Sequence, residues 1–267
     1  MKGKIIMAER QMDTERLTNY TIGECADLPS GGRIYGRNTP ATVELRSMTG
    51  RDEMKRLSPS SSQFKTLADI IEGCLIEKLP VHVYDMALGD YEYLLHRLRI
   101  VTYGDAYKMT VRCPYCGEYF DAEAHLEELK LKAFDIETFE AARTITLPRS
   151  GNVVTLNYQT PRTLDETETY VKDMKRRFKD AEVDFNLMST LISAIDTVDG
   201  LHMDTVKLEN FVNKLPALDM TKILNSIEAL NNMIGLDNYL ELSCTKCGGE
   251  VPTSFRFGSE FFRPTNI

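Results

Sequence analysis

Two short cysteine motifs, far apart in the chain, constrain its fold more than anything else: Cys113-Pro-Tyr-Cys116-Gly117 and Cys244-Thr-Lys-Cys247-Gly248. The first alone is ambiguous, because CPYC also suits a thiol–disulfide enzyme. Such an enzyme places its reactive cysteine at a helix N-terminus, where the dipole and free N–H groups stabilise the thiolate. Here a glycine follows Cys116 at once, and Glu118-Tyr-Phe-Asp-Ala-Glu123 then alternates as a strand does. The second motif has the same glycine and also lies between alternating runs, Tyr239 to Ser243 before it and Ser254 to Phe257 after it. Two CxxCG knuckles on hairpins supply four thiolates, a closed tetrahedral site with no position left for a substrate. Cys113, Cys116, Cys244 and Cys247 are therefore the candidate ligands of a zinc ion. An iron–sulfur cluster is the alternative occupant, since it takes the same donor set.

Between Cys116 and Cys244 lie 127 residues, where an ordinary ribbon has a short connection. Loop-closure entropy grows only logarithmically, so the long insertion costs about 1.5–2 kcal/mol more than a short one. Structural zinc binding supplies on the order of 10 kcal/mol or more. The metal outweighs the loop. The remaining cysteines are read otherwise: Cys74 as a buried structural thiol in an apolar helix stripe, Cys25 as incidental.

Function classes fall away in turn. A net charge of −8 disfavours a phosphate backbone as partner, so no nucleic acid is expected, although a zinc-ribbon nucleic-acid binder stays as an alternative. The basic run Lys172 to Lys179 reads as a solvated helix face. No apolar run is long enough to span a membrane. His125-Leu-Glu127 matches the HxE of zinc deaminases, but Ser243, not proline, precedes the second CxxC, and four cysteines leave that ion no open position. No HExxH, phosphate loop or GxSxG elbow occurs. The chain reads as a non-enzyme with no small-molecule substrate.

Periodicity predicts an α+β protein: a mainly helical body, a split zinc-ribbon β element and a second β-hairpin. Residues 1–47 read as an extended arm and 48–102 as a helical segment. Residues 103–125 with 240–258 form the split ribbon, 126–239 an inserted hairpin and helical region, and 259–267 an aromatic tail. Ser62 or a neighbouring serine, and Asp85, are expected to cap two helices, the second lined by Leu88, Tyr91, Leu94, Leu95 and Leu98 with a polar-face or hydrogen-bonded His96 beside the stripe. The hairpin is expected at Thr144–Pro148 and Val153–Tyr158. Thr163-Leu-Asp-Glu166 reads as a capping box opening a helical region that runs to about residue 235, with Ile195 on one helix face and Gly235 as a terminator.

The ends read as docking segments. Ile34 and Tyr35 lie in an arm too irregular to hold itself together, for which strand addition to a neighbour is a solution. Phe261, Phe262 and Arg263 form an aromatic–arginine cluster, either anchors for a partner or a fold-back onto the chain's own core.

Several segments, in order, resemble the baseplate hub proteins of T-even-type contractile-tailed bacteriophages. They are LPSGGRIYG (28–36), VELRSMTGRDEMKRL (43–57), the long stretch from Leu79 to Gly117, and CTKCGGEVPTSFRFGSEFFRP (244–264). The resemblance implies a structural virion component of the tail baseplate, made in the host cytoplasm, in several copies per tail, contacting other phage baseplate and tail proteins. An assembly factor absent from the finished particle is the alternative it leaves open.

Overall fold

The computed structural model describes residues 22–179, 184–255, 257 and 259–262. From residue 22 onward the arm pairs with itself. Strand β1 (Gly23–Asp27) pairs antiparallel with β2 (Thr42–Arg46), and the loop between them is closed by Leu28 N donating to Ala41 O at 2.7 Å. Val43 and Leu45 alternate inward and are buried. The backbone groups that glycine and proline leave irregular are thus paired within the chain, partly by side chains.

Helix α1 (Gly50–Leu57) starts at a Thr49/Asp52 capping box, and α2 (Gln63–Cys74) and α3 (Leu88–Tyr103) follow. The cap of α2 departs from expectation. Ser62 holds the N-cap position, but its hydroxyl donates to Asp165 of a later helix, and the same carboxylate takes the Lys65 N–H at 3.0 Å. A distant carboxylate caps the helix. Asp85 caps nothing either: it pairs with Arg162 at 2.5 Å, and α3 begins after Ala87. The inner face of α3 is as periodicity predicts, with Tyr91, Leu94, Leu95 and Leu98 fully buried. His96 is buried too, its Nε2 2.8 Å from Leu126 O.

Two hairpins come next in space, β3 (Ala106–Arg112) with β4 (Tyr119–His125), and, from the far end of the chain, β9 (Tyr239–Ser243) with β10 (Glu250–Ser254). Together with β1, β2, α2, α3 and the turn Ser259–Phe262, they surround a first core built on Leu45, Ile71, Leu95, Leu126 and Phe261.

A second core belongs to the intervening chain. It lies between helices α4 (Ile136–Ala142), α6 (Phe185–Ala194), α7 (Thr205–Lys214) and α8 (Ala217–Asn231) and a four-stranded antiparallel sheet. The sheet order is β5 (Thr144–Thr146), β6 (Val153–Leu156), β7 (Ile195–Val198), β8 (Leu201–His202). The expected hairpin is its first half. The second half interrupts what reads as a continuous helical region: Ile195 opens a strand instead of closing a helix face. Asp199 and Gly200 make the turn with φ of 52° and 76°, the positive values that Asp-Gly hairpins use. Helix α5 (Pro161–Arg177) packs on both α2 and α6 and joins the two cores. Its capping box is Thr160/Thr163 with Pro161 in the first turn, three residues before the expected one.

The chain enters and leaves the second lobe side by side. Leu131 bridges Leu236, Lys132 N donates to Gly235 O, and Asp237 N donates to Lys130 O. Gly235 therefore terminates no helix, since α8 ends at Asn231. It lies against Gly89 at the start of α3, where a Cβ on Gly89 would come within 2.2 Å of Ile234 O. Both positions require glycine for close approach.

Candidate metal centre

Each knuckle is a strand end, a tight turn and a strand start. Cys113 N donates to Glu118 O at 2.9 Å and Gly117 N to Cys113 O at 3.0 Å. In the second knuckle Cys244 N donates to Gly249 O at 2.9 Å and Gly248 N to Cys244 O at 2.8 Å. Gly117 and Gly248 have φ of 76° and 71°, the left-handed conformation that a side chain would strain. Strand registers match as well: Arg112 faces Tyr119, and Ser243 faces Glu250. The two units are copies of one device, offset by 131 residues throughout (113 to 244, 116 to 247, 117 to 248).

The fold brings the copies face to face. All four Sγ atoms lie within 4.8 Å of one another, with Cys113–Cys247 at 3.6 Å and Cys116–Cys244 at 3.9 Å. A tetrahedral zinc with bonds of about 2.3 Å has sulfur–sulfur edges of ~3.8 Å, so the donor set fits the ion. Cys113 and Cys244 are buried over a small apolar base of Phe120 and Val251, while Cys116 and Cys247 are exposed. Gly249 makes room for the first knuckle: a Cβ there would lie 2.8 Å from the Tyr115 ring.

Electrostatics favours a cation here. Desolvation raises the Cys113 thiol, but the N–H groups of Cys116 and Tyr115 and neighbouring sulfurs outweigh it and bring the thiol down to about 7. The Glu118 N–H favours the Cys116 thiolate, yet desolvation and the three other sulfurs push Cys116 up to about 12. Cys113 ionises readily, and the neighbouring sulfurs raise the Cys116 and Cys247 thiols. Full ionisation needs a positive charge among them.

The other thiols stand apart. Cys74 is fully buried in the first core and Cys25 is exposed on β1. The HxE residues are engaged around Asp105, whose carboxylate is 2.7 Å from His125 Nδ1 and accepts the Glu127 N–H. Among the described residues the four-cysteine group is the one cluster of three or more such donors.

Four of the residues read as docking segments lie in the described chain, and each has contacts within it. Tyr35 is tucked between the two cores, its hydroxyl donating to Asp90 at 2.5 Å and accepting from Ala87 N at 2.8 Å. Burial, then the Asp90 charge, raises its hydroxyl well above the ordinary tyrosine range. Ile34 is half-buried against the second core. Phe261 and Phe262 are 1% exposed, Phe261 packing on Tyr107 and Phe257 at ring distances of 5.3 and 5.1 Å. Both rings fold back into the first core, beside the ribbon strands and α3. Arg263 lies outside the described residues.

Sequence reasoning missed Asp90. It is completely buried and takes the Ser30 N–H, the Ser30 hydroxyl and the Tyr35 hydroxyl, so it clasps the LPSGGRIYG loop onto α3. Partners 55–60 residues away leave no local signal of this.

The family model described as T4 bacteriophage base plate protein matches residues 19–263. No curated protein and no solved structure matches the chain.

Proposed function

Because the chain belongs to the T4 bacteriophage base plate protein family, we propose that it is a structural component of the tail baseplate, in its hub region. In this reading a zinc ion on Cys113, Cys116, Cys244 and Cys247 braces the fold, and the protein acts through contacts with other tail proteins, not by catalysis. The observation that carries the reading is the collinear family match from one end of the described chain to the other. The matched knuckles support the metal: bound there, zinc supplies a fixed cross-link and no reactive position. No described helix is long and apolar enough to cross a membrane. Ile34, Tyr35, Phe261 and Phe262 also pack inside the fold.

Quantitative mass spectrometry of purified virions tests the placement. A component of the hub is expected at a fixed copy number relative to known tail proteins. A chain absent from particles, yet required for tails to form in infected cells, is an assembly factor, and the structural reading fails.

A further inference from the structure

The first ribbon hairpin has a long strand edge that the chain leaves open. Cys113 N donates to Glu118 O at one end of the β3–β4 pair and Leu126 N to Asp105 O at the other, at 2.9 and 3.1 Å. Bonded and non-bonded pairs alternate between antiparallel strands, so with both ends fixed Phe120, Ala122 and Ala124 turn their N–H and C=O groups towards β3. Tyr119, Asp121, Glu123 and His125 turn theirs the other way. Those backbone groups meet no partner among the described residues. The opposite edge of the hairpin starts against α3, where Arg99 Nη2 lies 3.5 Å from Ala106 O. Strand β10 of the second hairpin is guarded. By the same alternation, set by Cys244 N to Gly249 O and Phe255 N to Asn238 O, its outward positions include Pro252, which has no N–H to offer. The seven residues of β4 contain no proline, and their register with β3 is unbroken. A shallow depression of about 600 Å³, lined by Met109, Thr110, Asp121 and Ala122 among others, leaves the middle of this hairpin uncovered.

An edge of this kind is completed by another strand, whose main chain supplies the hydrogen bonds and whose side chains decide which strand it is. The outer face of β4 carries Tyr119, Asp121, Glu123 and His125, all exposed, and its other face carries Phe120, Ala122 and Ala124, buried or half-buried. Asp121 is held by the neutral Thr110 hydroxyl at 2.8 Å, and Glu123 stands 4.0 Å from the Lys108 ammonium. His125 turns to Asp105. The middle of the outer face therefore keeps a net negative charge. Opposite charges across paired strands stabilise them and like charges destabilise. A second copy pairing antiparallel through β4, in the register centred on Ala122, would set Asp121 against Glu123 twice. A strand bearing lysine or arginine meets both carboxylates favourably. We propose that the free edge of β4 accepts an extended segment of a neighbouring protein, with basic side chains on the face of Asp121 and Glu123 and apolar ones on the face of Ala122. This rests on the reading of the chain as one that works through contacts with other proteins, and gives one such contact its place.

Amide hydrogen exchange on the full chain tests this with a peptide as long as β4 that alternates lysine and valine. At saturation the amides of Tyr119, Asp121, Glu123 and His125 should exchange about tenfold more slowly or less still. Those of Phe120, Ala122 and Ala124, already bonded to β3, should not change. Protection at every second residue is the mark of strand addition. A peptide with glutamate in place of lysine should bind about tenfold more weakly. Glu123→Pro removes one outward N–H and spares the ladder to β3, so it should abolish the new protection while Phe120, Ala122 and Ala124 exchange as in the parent. Asp121→Lys, which leaves the backbone alone, should narrow the preference for the lysine peptide. No protection by that peptide, protection without the alternation, or equal binding of the two peptides overturns the proposal. So does protection of the same amides in the concentrated protein alone, which makes a second copy the occupant. Presence in virions enters none of these results, so the edge and the structural reading fail separately.

Discussion

Single carboxylates do much of the organising in this protein. Asp90 holds the arm, Asp165 caps α2 and binds Tyr84, and Asp219 fixes the loop between β5 and β6. Glu92 is the exception, and linkage gives its signature. Its folded pKa, about 7, lies above the ordinary 4.5 because burial disfavours the charged form. A raised acid stabilises the fold fully below the unfolded value and loses that contribution as pH rises through the folded one. Glu92→Gln should therefore match the parent near pH 4.5 and exceed it above pH 7, by about 1–3 kcal/mol. Urea unfolding at both ends of that window checks it. A variant less stable than the parent above neutrality would mean that Glu92 is already paired.

Among the elements, the knuckles were the most legible, because CxxCG between alternating runs leaves the backbone few alternatives. The prediction they carry is direct. Purified protein should hold close to one zinc per chain with little iron, and Cys244→Ser should lose most of it along with several kcal/mol of stability. Elemental analysis and denaturant titration measure both, and a brown, iron-bearing protein would reverse the assignment. The apolar stripes of α3 and α8 were legible for the same reason of period. Caps were not: Ser62 and Asp85 sit at plausible positions, but their partners come from α5, which no local pattern reveals. The β7–β8 hairpin was readable in Asp199-Gly200 between Thr197-Val198 and Leu201-His202, yet the helical stripe before it extends one residue too far by periodicity alone. The tail turn was ambiguous in sequence because adjacent aromatics suit an interface and a socket equally. Its packing predicts that Phe261→Ala costs about 3–5 kcal/mol, as for other buried aromatics, in the isolated protein. A melting temperature unchanged by that substitution would return Phe261 to the surface.

For the molecule as a whole, the arm hairpin, the ribbon and the tail turn all belong to the first lobe, while the second hangs from two adjacent crossings at Leu131 and Leu236. That arrangement has a mechanical meaning. Tension applied between the chain's ends runs through the first lobe and across the cysteine cluster, and bypasses the 127 residues between Cys116 and Cys244. The second lobe is off the load path for as long as metal joins the knuckles. In an optical trap with handles at both ends, the first rupture of the zinc-loaded protein should leave roughly 45 nm of chain still hidden, at about 3.5 Å per residue. That length should appear only when the cluster opens, and a chelator should merge the two events. Release of the second lobe first, with zinc in place, would show that force takes another route. A part of a contracting tail wired in this way can be strained at its ends while half of its chain feels no pull at all.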